Sequence, residues 1–555
     1  MTTTTLHDLA AERDMPNHEV WAAAERHLTR PLAEGLNTVT EVCDRWAATD
    51  PTRIAFIVRD SADTPGRRWT FADLARVSAQ LASALKTLGV SRGDRVAAIL
   101  PQGIEAHLTA LATWRLGAVF VPVYPGFGAA GLAQRIGHST PSVIVTDGQS
   151  HPALLDAIGS SGSSTHVLVV GDSEQERTDD LDYWTDDDFW TLVRRHLPLP
   201  TVVATAASDT ATLLYTSGTT GIPKGCQLPH SYLVTMQPFT RHTYALRDGD
   251  VFASTSSPGW VNGLYSAGFC VSAQGIPRVI HTGRFDAVDW IRILDQEQVT
   301  YFASAPSAMR QIIPAFHTEG FPSRLRGAAC AGEHQGAELG RQWSRFCSAP
   351  LQETYGTTEI GLVMATPGYD GNPPEPGSLP PAVPGFEVTL LDSTGAPTDA
   401  DTGIIGIRTD GGPAGCTGYL DAPLKWAERW TDDWYITGDL ARRDDDGRLS
   451  FLGRDDDLIV TSGYNVGPAE VENILSRHPL VLDVAVLAQS DKQRGSVVRA
   501  VVVAAPDSDQ KQLTADLKAL AREQLGRHAY PRIVDFVDDL PRNAAGKMQR
   551  RLLRS

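Results

Sequence analysis

Apolar residues in the first part of the chain follow two patterns, one helical and one strand-like, which alternate along the sequence. In one stretch they follow each other at steps of three and four positions: Leu74, Val77, Leu81, Leu85 and Leu88. This spacing predicts an amphipathic helix. Short, mostly apolar stretches at 95–100, 118–123 and 141–147 predict buried strands. Helices and strands that alternate in this way favour mostly parallel sheets covered by helices, so we predict an α/β fold.

The pattern changes after Arg454. Strand-like LIVTSGYNV precedes helix-like PAEVENILSRHP, strand-like VLDVAVLA and VRAVVVAA, and helix-like LTADLKALAREQLG, which is typical of a small α+β unit. We therefore predict a large N-terminal domain at 36–453 and a small C-terminal domain at 457–555, joined through 454–456. Residues 1–35 form a less informative N-terminal extension.

Composition restricts the function classes. The chain has 66 Asp and Glu against 49 Lys and Arg, a net charge of −17, which disfavours a nucleic-acid or anionic-membrane surface. It contains no apolar run of about 18 residues, and its N-terminus lacks the pattern of a signal peptide. Its six cysteines include no CxxC pair, which fits a reducing compartment and disfavours a zinc site. We expect a cytoplasmic protein without membrane spans, and the sequence leaves its oligomeric state open.

The stretch LLYTSGTTGIPKG, at 213–225, is typical of a phosphate-binding loop. A strand-like run is followed by six residues of Thr, Ser and Gly, whose hydroxyls and backbone N–H groups can surround phosphate oxygens. Lys224 adds a positive charge. The stretch is not a Walker A loop, because Pro223 and Gly225 flank that lysine. Taken alone, it could also be a flexible surface loop.

Later motifs supply further candidates. ETYGTTEIG, at 353–361, combines an aromatic ring, hydroxyls and Glu359, a set suited to base stacking, phosphate contact and Mg²⁺ binding. A Thr-rich turn with a helix-capping Glu is the alternative. Asp439 could accept hydrogen bonds from ribose hydroxyls, although a lone Asp more often caps a turn. The basic C-terminal stretch LPRNAAGKMQRRLLRS places Lys547 where it could enter a cleft, or could simply be solvated.

The order of these motifs resembles the acyl-adenylate-forming superfamily, which includes acyl- and aryl-CoA synthetases, peptide-synthetase adenylation domains and luciferases. The resemblance covers roughly residues 35 to 555. It rests on seven blocks in family order: RLGAVFVPVYP, YTSGTTGIPKG, TSSPGWVNGLY, ETYGTTEIG, GYLDAPLKWAERWTDDWYITGDL, GRDDDLIVTSGYNVGPAEVE and LPRNAAGKMQR. The motif pattern is most similar to medium-chain and aryl acyl-CoA synthetases.

The resemblance implies a set of ATP contacts. The phosphates would lie against Thr216, Ser217, Gly218, Thr219, Thr220 and Lys224, the adenine against Gly332, Glu333, Glu353 and Tyr355, and the ribose near Asp439 and Arg454. Thr358 would contact the α-phosphate and Glu359 would bind Mg²⁺. Lys547 would act in the first half-reaction.

The resemblance also implies two half-reactions. A carboxylic acid attacks the α-phosphorus of ATP to give acyl-AMP and pyrophosphate, and the thiol of CoA then attacks the acyl carbonyl. Between the two steps the small domain would rotate about a hinge at Asp456. This mobile domain would remove Lys547 from the site and bring in Gly463, which would line the tunnel of the thiol.

The acid and the acceptor are less closely defined. TSSPGWVNGLY resembles the acetyl- and medium-chain type, which places Trp260 at the acyl pocket with Asn262 and Ser307 nearby; core packing is the alternative for Trp260. Acetate-specific relatives have a second Trp where this chain has Gly356. We therefore expect a longer pocket and an acid larger than acetate, either medium-chain or aryl.

Three function classes follow from the motifs. An acid–CoA ligase comes first, and an adenylating enzyme that passes its acyl group to a carrier-protein thiol, an amine or another nucleophile comes second. Asn465, where many relatives have Arg or Lys, keeps the second class open. A non-catalytic nucleotide-binding relative is disfavoured because Lys224, Glu359, Asp439 and Lys547 are all present.

Overall fold

The structure is a computed structural model. It describes residues 9, 12–159, 165–171, 186–216, 223–332, 335, 337–368, 378–409, 411–413, 415–457, 459–461, 464–491, 495–525, 529–542 and 548–553. The α-helices lie at Asn17–Glu25, Arg45–Thr49, Phe71–Thr87, Ile104–Arg115, Ala129–Ser139, His151–Ile158, Phe189–Arg195, Tyr232–Thr235, Gln237–Phe239, Cys270–Ser272, Ala287–Gln296, Pro306–Glu319, Ala337–Trp343, Pro423–Ala427, Pro468–Leu475 and Gln510–Leu525. Short 3₁₀ and π segments lie at Leu32–Glu34, Thr40–Asp44, Thr240–Tyr244, Asn262–Phe269, Asp455–Asp457 and Arg550–Leu553.

The helix at Phe71–Thr87 confirms the first periodic pattern. Thr70 begins it through a capping box, in which the Thr70 hydroxyl accepts from the backbone N–H of Asp73 at 3.1 Å. Gly89 follows its end with a φ of 91°, a conformation that glycine adopts without strain. The predicted strands are found at Arg95–Ile99, Val119–Val123 and Val143–Asp147.

Two large sheets carry most of the chain before residue 420. The spatial order of the first sheet is Gly361–Ala365, Leu351–Thr357, Gly327–Cys330, Tyr301–Ser304, Phe252–Ser254, Arg278–His281, Ile54–Arg59 and Arg67–Thr70. The order of the second is Gly418–Tyr419, Lys224–Pro229, Thr210–Thr216, Val119–Val123, Arg95–Ile99, Val143–Asp147, His166–Val170 and Asp186–Asp188. Neighbouring strands are parallel in the interior of both sheets, and antiparallel pairs occur towards their edges.

Mostly antiparallel sheets follow in the last part of the chain, where only the pair Gly495–Ala504 and Ile533–Phe536, among the described strands, is parallel. One has the order Glu387–Leu391, Thr402–Arg408, Trp434–Arg443 and Trp430–Thr431, with Leu449–Arg454 also paired to Trp434–Arg443. After it come the pair Ile459–Thr461 and Tyr464–Val466 and the sheet Val481–Asp491, Gly495–Ala504 and Ile533–Phe536. The latter strands and the helices at Pro468–Leu475 and Gln510–Leu525 share their own apolar core. The predicted fold class, a large α/β part followed by a small α+β part, is confirmed, whereas its exact boundaries stay a prediction.

The main core joins the two large sheets through helices. Phe56 of the first sheet and Phe120 of the second are both buried in one apolar cluster. Trp114, on the helix Ile104–Arg115, packs at 6.3 Å from the ring of Phe120 and at 6.4 Å from that of Tyr265. This packing fixes the two sheets relative to each other, and their strand ends meet at the cavity described below.

The described part of the N-terminal extension is anchored to the large domain. The indole N–H of Trp21 donates to the carbonyls of Gly385, at 3.0 Å, and Thr409, at 2.8 Å. The buried Glu12 carboxylate pairs with Arg241 at 2.7 Å. Among the described helices none is both long and apolar enough to cross a membrane.

Candidate active site

A cavity of about 970 Å³ brings together most of the predicted site residues that the structure describes. Its walls include Thr216, Lys224, Trp260, Gly332, Glu353, Tyr355, Gly356, Thr358, Glu359, Asp439 and Arg454. Asn262 and Ser307 also lie in its wall. These residues come from both large sheets and from the antiparallel sheet around Trp434–Arg443, so only the tertiary fold makes them neighbours.

Several predicted residues lie outside the described residues. These are Ser217, Gly218, Thr219, Thr220, Glu333, Gly463 and Lys547. Asp456 lies in the short turn Asp455–Asp457 that follows the strand Leu449–Arg454, and its side chain is not described. The predicted roles of these residues in phosphate binding, hinge rotation and the two half-reactions therefore stay predictions.

The phosphate end of the site is built on a β-hairpin. The strands Thr210–Thr216 and Lys224–Pro229 are antiparallel, and Thr216 pairs directly with Lys224. Thr216 and Lys224, the described residues on either side of the predicted phosphate-binding stretch, therefore lie at the same edge of the cavity. A hydroxyl and a cation stand side by side at that edge, which suits an anionic ligand.

Glu359 lies beside this cation. Its Oε1 accepts a 2.8 Å hydrogen bond from the hydroxyl of Tyr419, and the ammonium nitrogen of Lys224 lies 5.1 Å from the centre of the same ring. Burial and the charge of Arg429 lower the pKa of Lys224, while Glu359 acts in the opposite direction. Thr358 is fixed through its backbone carbonyl, which accepts from the hydroxyl of Tyr232 at 2.9 Å.

The candidate ribose site contains a preformed network. Asp439 and Arg454 are directly paired on antiparallel strands, and the guanidinium donates to Asp439 Oδ1 at 3.0 Å. Tyr355 donates its hydroxyl to Asp439 Oδ2 at 2.7 Å. Burial and the adjacent Asp439 carboxylate raise the pKa of Tyr355, so this hydroxyl keeps its proton. The carboxylate is therefore held in one orientation before any ligand binds.

The candidate adenine site lies against the ends of two neighbouring parallel strands. Glu353 is buried, and its Oε1 accepts from the backbone N–H of Gln335 at 3.2 Å. Gly332 follows the strand Gly327–Cys330 with a φ of 93° and is exposed in the cavity wall. A glycine suits this position because other residues rarely adopt that conformation.

The candidate acyl wall is aromatic. The ring of Trp260 lies 5.9 Å from that of Tyr124 and 6.2 Å from that of Phe127. Gly259 permits this contact, because a Cβ there would already lie 3.1 Å from the backbone of Tyr124. Asn262 donates its side-chain amide to the hydroxyl of Ser256 at 2.8 Å. This wall combines apolar surface with a few hydroxyl and amide groups.

Gly356 has a packing role besides the pocket role that we expected. It lies in the cavity wall, but a Cβ at this position would meet the carbonyl oxygen of Gly361 at 2.0 Å and the Cα of Leu362 at 2.7 Å. The strand pairing shifts its register between Tyr355 and Gly356, which turns the missing side chain toward the facing strand. In this backbone, Gly356 is required by the close approach of two strands.

Two residues of the site were not assigned from the sequence. Arg429 lies in the cavity wall, and Tyr419 contacts the wall residues Glu359 and Lys224. Both belong to the block GYLDAPLKWAERWTDDWYITGDL. The signal that could have identified them was the block itself, because it also contains the candidate ribose-binding residue Asp439. Tyr419 contacts Glu359 and Lys224, and the charge of Arg429 lowers the pKa of Lys224, although these partners lie far away in sequence.

The geometry defines a nucleotide-binding enzyme site with an adjoining aromatic pocket. The sequence model of the AMP-binding enzyme family matches residues 43–420, and that of the AMP-binding enzyme C-terminal domain matches residues 470–547. The chain therefore belongs to the AMP-binding enzyme family. This membership confirms the resemblance to adenylate-forming enzymes.

Similar proteins cover nearly the whole chain. It is 31% identical to the mitochondrial acyl-coenzyme A synthetase ACSM3 of Rattus norvegicus, over 94% of this chain and 91% of the relative. An acyl-CoA synthetase structure from Brucella canis matches with a TM-score of 0.76 and 32% identity, over 99% of this chain and 98% of the other. The ATP-bound MatB structure from Rhodopseudomonas palustris matches with a TM-score of 0.80 and 26% identity, over 93% and 98%. Together with the family membership, these similarities confirm the expected enzyme class, an AMP-forming acid–CoA ligase.

The relatives correct one expectation. We expected a cytoplasmic protein, but the synthetases ACSM3 of rat and human and ACSM4 of rat are named as mitochondrial proteins. The expectation was wrong because scattered free cysteines indicate only a reducing compartment. They do not distinguish one reducing compartment from another.

Proposed function

We propose that this enzyme activates a carboxylic acid with ATP to acyl-AMP and pyrophosphate, and then transfers the acyl group to the thiol of CoA. The observation that carries the proposal is one cavity in which the Asp439 network, the charged groups of Glu359 and Lys224 and the aromatic acyl wall meet. The names of the similar synthetases support the same reaction.

The first half-reaction forms a bond between a carboxylate oxygen and the α-phosphorus of ATP. The bond from that phosphorus to the oxygen bridging the α- and β-phosphates breaks, and pyrophosphate leaves with the electron pair. Lys224 would bind the departing phosphates, and Asp439 would hold the ribose through its hydroxyls. Because Arg454 and Tyr355 already fix Asp439, little reorganisation would accompany binding.

Glu359 fits a magnesium role. Mg²⁺ in nucleotide enzymes is commonly held by one or two carboxylates together with substrate phosphates, so a complete protein cage is not needed. The part of the chain that the structure describes contains no group of three or more His, Cys, Asp or Glu that could hold a metal. A single carboxylate beside the phosphate hairpin agrees with this mode. The ion would neutralise the charge that develops on the phosphates.

In the second half-reaction, the sulfur of CoA would attack the acyl carbonyl, lose its proton, and displace AMP. We propose the same roles as the family pattern implies for Gly463 and Lys547, with rotation about Asp456 between the steps. The acid would be larger than acetate, either medium-chain or aryl. Support for this size comes from the aromatic wall of Trp260, Tyr124 and Phe127.

Mass spectrometry tests the proposal directly. The purified protein is incubated with ATP, Mg²⁺ and a panel of aliphatic and aryl acids, with and without CoA. We expect an acyl-AMP that is converted to acyl-CoA when CoA is added. An acyl-AMP that persists beside CoA would point to a carrier-protein thiol or an amine as acceptor, and no acyl-AMP with any acid would contradict the proposal.

A further inference from the structure

Tyr419 lies at the junction of two parts of the phosphate site. The short strand Gly418–Tyr419 pairs with Lys224–Pro229, the strand that leaves the phosphate hairpin, and Tyr419 stands opposite Cys226. Backbone hydrogen bonds flank this pairing, from Thr417 to Gln227 at 2.9 Å and from Leu420 to Gly225 at 2.8 Å. The position of Tyr419 is therefore tied to the same strand that positions Lys224.

The two ends of the Tyr419 side chain contact two different charged groups. Its hydroxyl donates to Glu359 Oε1 at 2.8 Å, and its ring lies beneath the ammonium group of Lys224 at 5.1 Å. A carboxylate oxygen only accepts, so the Tyr419 hydroxyl is the donor in the first contact. Attraction of a cation to an aromatic face adds to the second contact.

The ring of Tyr419 cannot turn freely. It packs edge-on against Trp426 at 5.3 Å, and Trp426 packs at 5.6 Å from Trp430 and at 6.0 Å from Tyr435. Tyr419 is itself 3% exposed. This aromatic support fixes the direction of the hydroxyl.

A hydrogen bond to one carboxylate oxygen leaves the other oxygen for a different partner. For Glu359 Oε2 no hydrogen bond occurs within the part of the chain that the structure describes. Residues that orient a metal-binding side chain in this way commonly change metal affinity about 10- to 100-fold when they are replaced. Loss of the Tyr419 hydroxyl should therefore affect the metal more than the nucleotide.

We propose that Tyr419 is a positioning residue for the phosphate half of the reaction, an inference that rests on the proposed adenylation function. Its hydroxyl orients Glu359 toward the divalent cation, and its ring holds Lys224 toward the phosphates. The two contacts can be separated by substitution, because phenylalanine keeps the ring and removes only the hydroxyl.

The experiment compares the Tyr419→Phe and Tyr419→Leu variants with the wild-type enzyme, all three as full-length proteins. Binding of Mn²⁺ in the presence of ATP, followed by electron paramagnetic resonance, reports on the metal without any turnover. For Tyr419→Phe we expect about 10-fold weaker Mn²⁺ binding, an unchanged KM for ATP at saturating Mg²⁺, and a kcat that excess Mg²⁺ restores. For Tyr419→Leu we expect the same metal defect together with a raised KM for ATP.

Tyr265→Phe is the matched control. Tyr265 is a fully buried tyrosine whose hydroxyl bonds to Thr212 at 2.9 Å, and it is not part of the cavity wall. Its variant reports the cost of losing a buried tyrosine hydroxyl elsewhere, and its Mn²⁺ binding should be unchanged. Wild-type Mn²⁺ affinity in a stably folded Tyr419→Phe variant would overturn the proposal. Failure of the wild-type enzyme to form any acyl-AMP would instead contradict the proposed function, since Mn²⁺ binding is measured independently.

Discussion

The nucleotide half and the acyl half of the cavity are built from different kinds of interaction. In the nucleotide half, charged groups are already paired: Asp439 with Arg454 and Tyr355, and Glu359 with Tyr419. In the acyl half, the ring of Trp260 packs against other rings, and the polar contacts are those of neutral side chains such as Asn262.

This difference predicts two kinds of response to substitution. A carboxylate that is oriented by fixed partners acts as a unit with them. Its replacement should therefore cause a large loss of activity. An apolar wall contributes binding free energy roughly in proportion to its contact area with the acid. Replacement of one of its residues should therefore change the preferred acid and leave the nucleotide chemistry intact.

We expect the largest effect from Glu359→Gln. The amide removes the negative charge that would bind Mg²⁺ and balance Lys224, so kcat for acyl-AMP formation should fall by about 10²- to 10³-fold. ATP-dependent pyrophosphate exchange at saturating Mg²⁺ measures this step. An exchange rate equal to that of the wild type would exclude Glu359 from the metal site.

Asp439→Asn should have the next largest effect. The variant keeps the shape of the side chain, but Arg454 loses its carboxylate partner and a ribose loses a charged acceptor. We expect the KM for ATP to rise by about 10- to 100-fold, as for loss of a hydrogen bond to a charged group. Steady-state kinetics with ATP varied gives this value.

Glu387→Gln is the control for that variant. Glu387 and Arg408 are likewise paired on antiparallel strands of the same sheet, with a 2.5 Å ion pair, but neither residue is part of the cavity wall. Its KM for ATP should stay at the wild-type value. An equal rise in the KM for ATP in both variants would mean that Asp439→Asn acts only by disturbing the sheet and that Asp439 does not bind the ribose.

Gly356→Ala distinguishes the two interpretations of that position. Because a Cβ would clash with the Gly361 carbonyl, we expect a loss of about 1–3 kcal/mol in the free energy of unfolding, and a similar loss of activity with every acid. Chemical denaturation measures the first quantity. A stable variant that prefers shorter acids would instead restore the pocket-length interpretation. In the control Gly137→Ala, nothing lies within 4 Å of the added Cβ, so stability should be maintained.

Trp260→Leu should give the smallest effect on the reaction as a whole. Removal of the indole from its contacts with Tyr124 and Phe127 should change the ratio of kcat/KM between aryl and medium-chain acids by about 10-fold, with an unchanged KM for ATP. Trp69→Leu, which removes a Trp stacked on Trp190 away from the cavity, is the control. An unchanged acid preference would mean that Trp260 packs in the protein core and does not contact the acid.

Much of the fold could be predicted because its signals are local. The helix at Phe71–Thr87 follows from apolar spacing and a cap, and the strands at Arg95–Ile99 and Val119–Val123 follow from short apolar runs. The candidate site residues could be selected because their motifs occur in a characteristic order. The direction of the missing side chain at Gly356 could not be predicted, since it depends on a register shift against the facing strand.

The sequence by itself determined the helices and strands, the family, and most of the charged groups offered to the ligand, because these depend on short-range patterns and residue types. Only the tertiary structure decided which groups meet. Tyr419 meets Lys224 because their strands pair, and it meets Glu359 because the backbone N–H of Cys416 donates to the Glu359 carbonyl and joins the first large sheet to the second at this edge. Such contacts depend on strand register and on packing between segments. The spacing of residues along a single segment specifies neither of these.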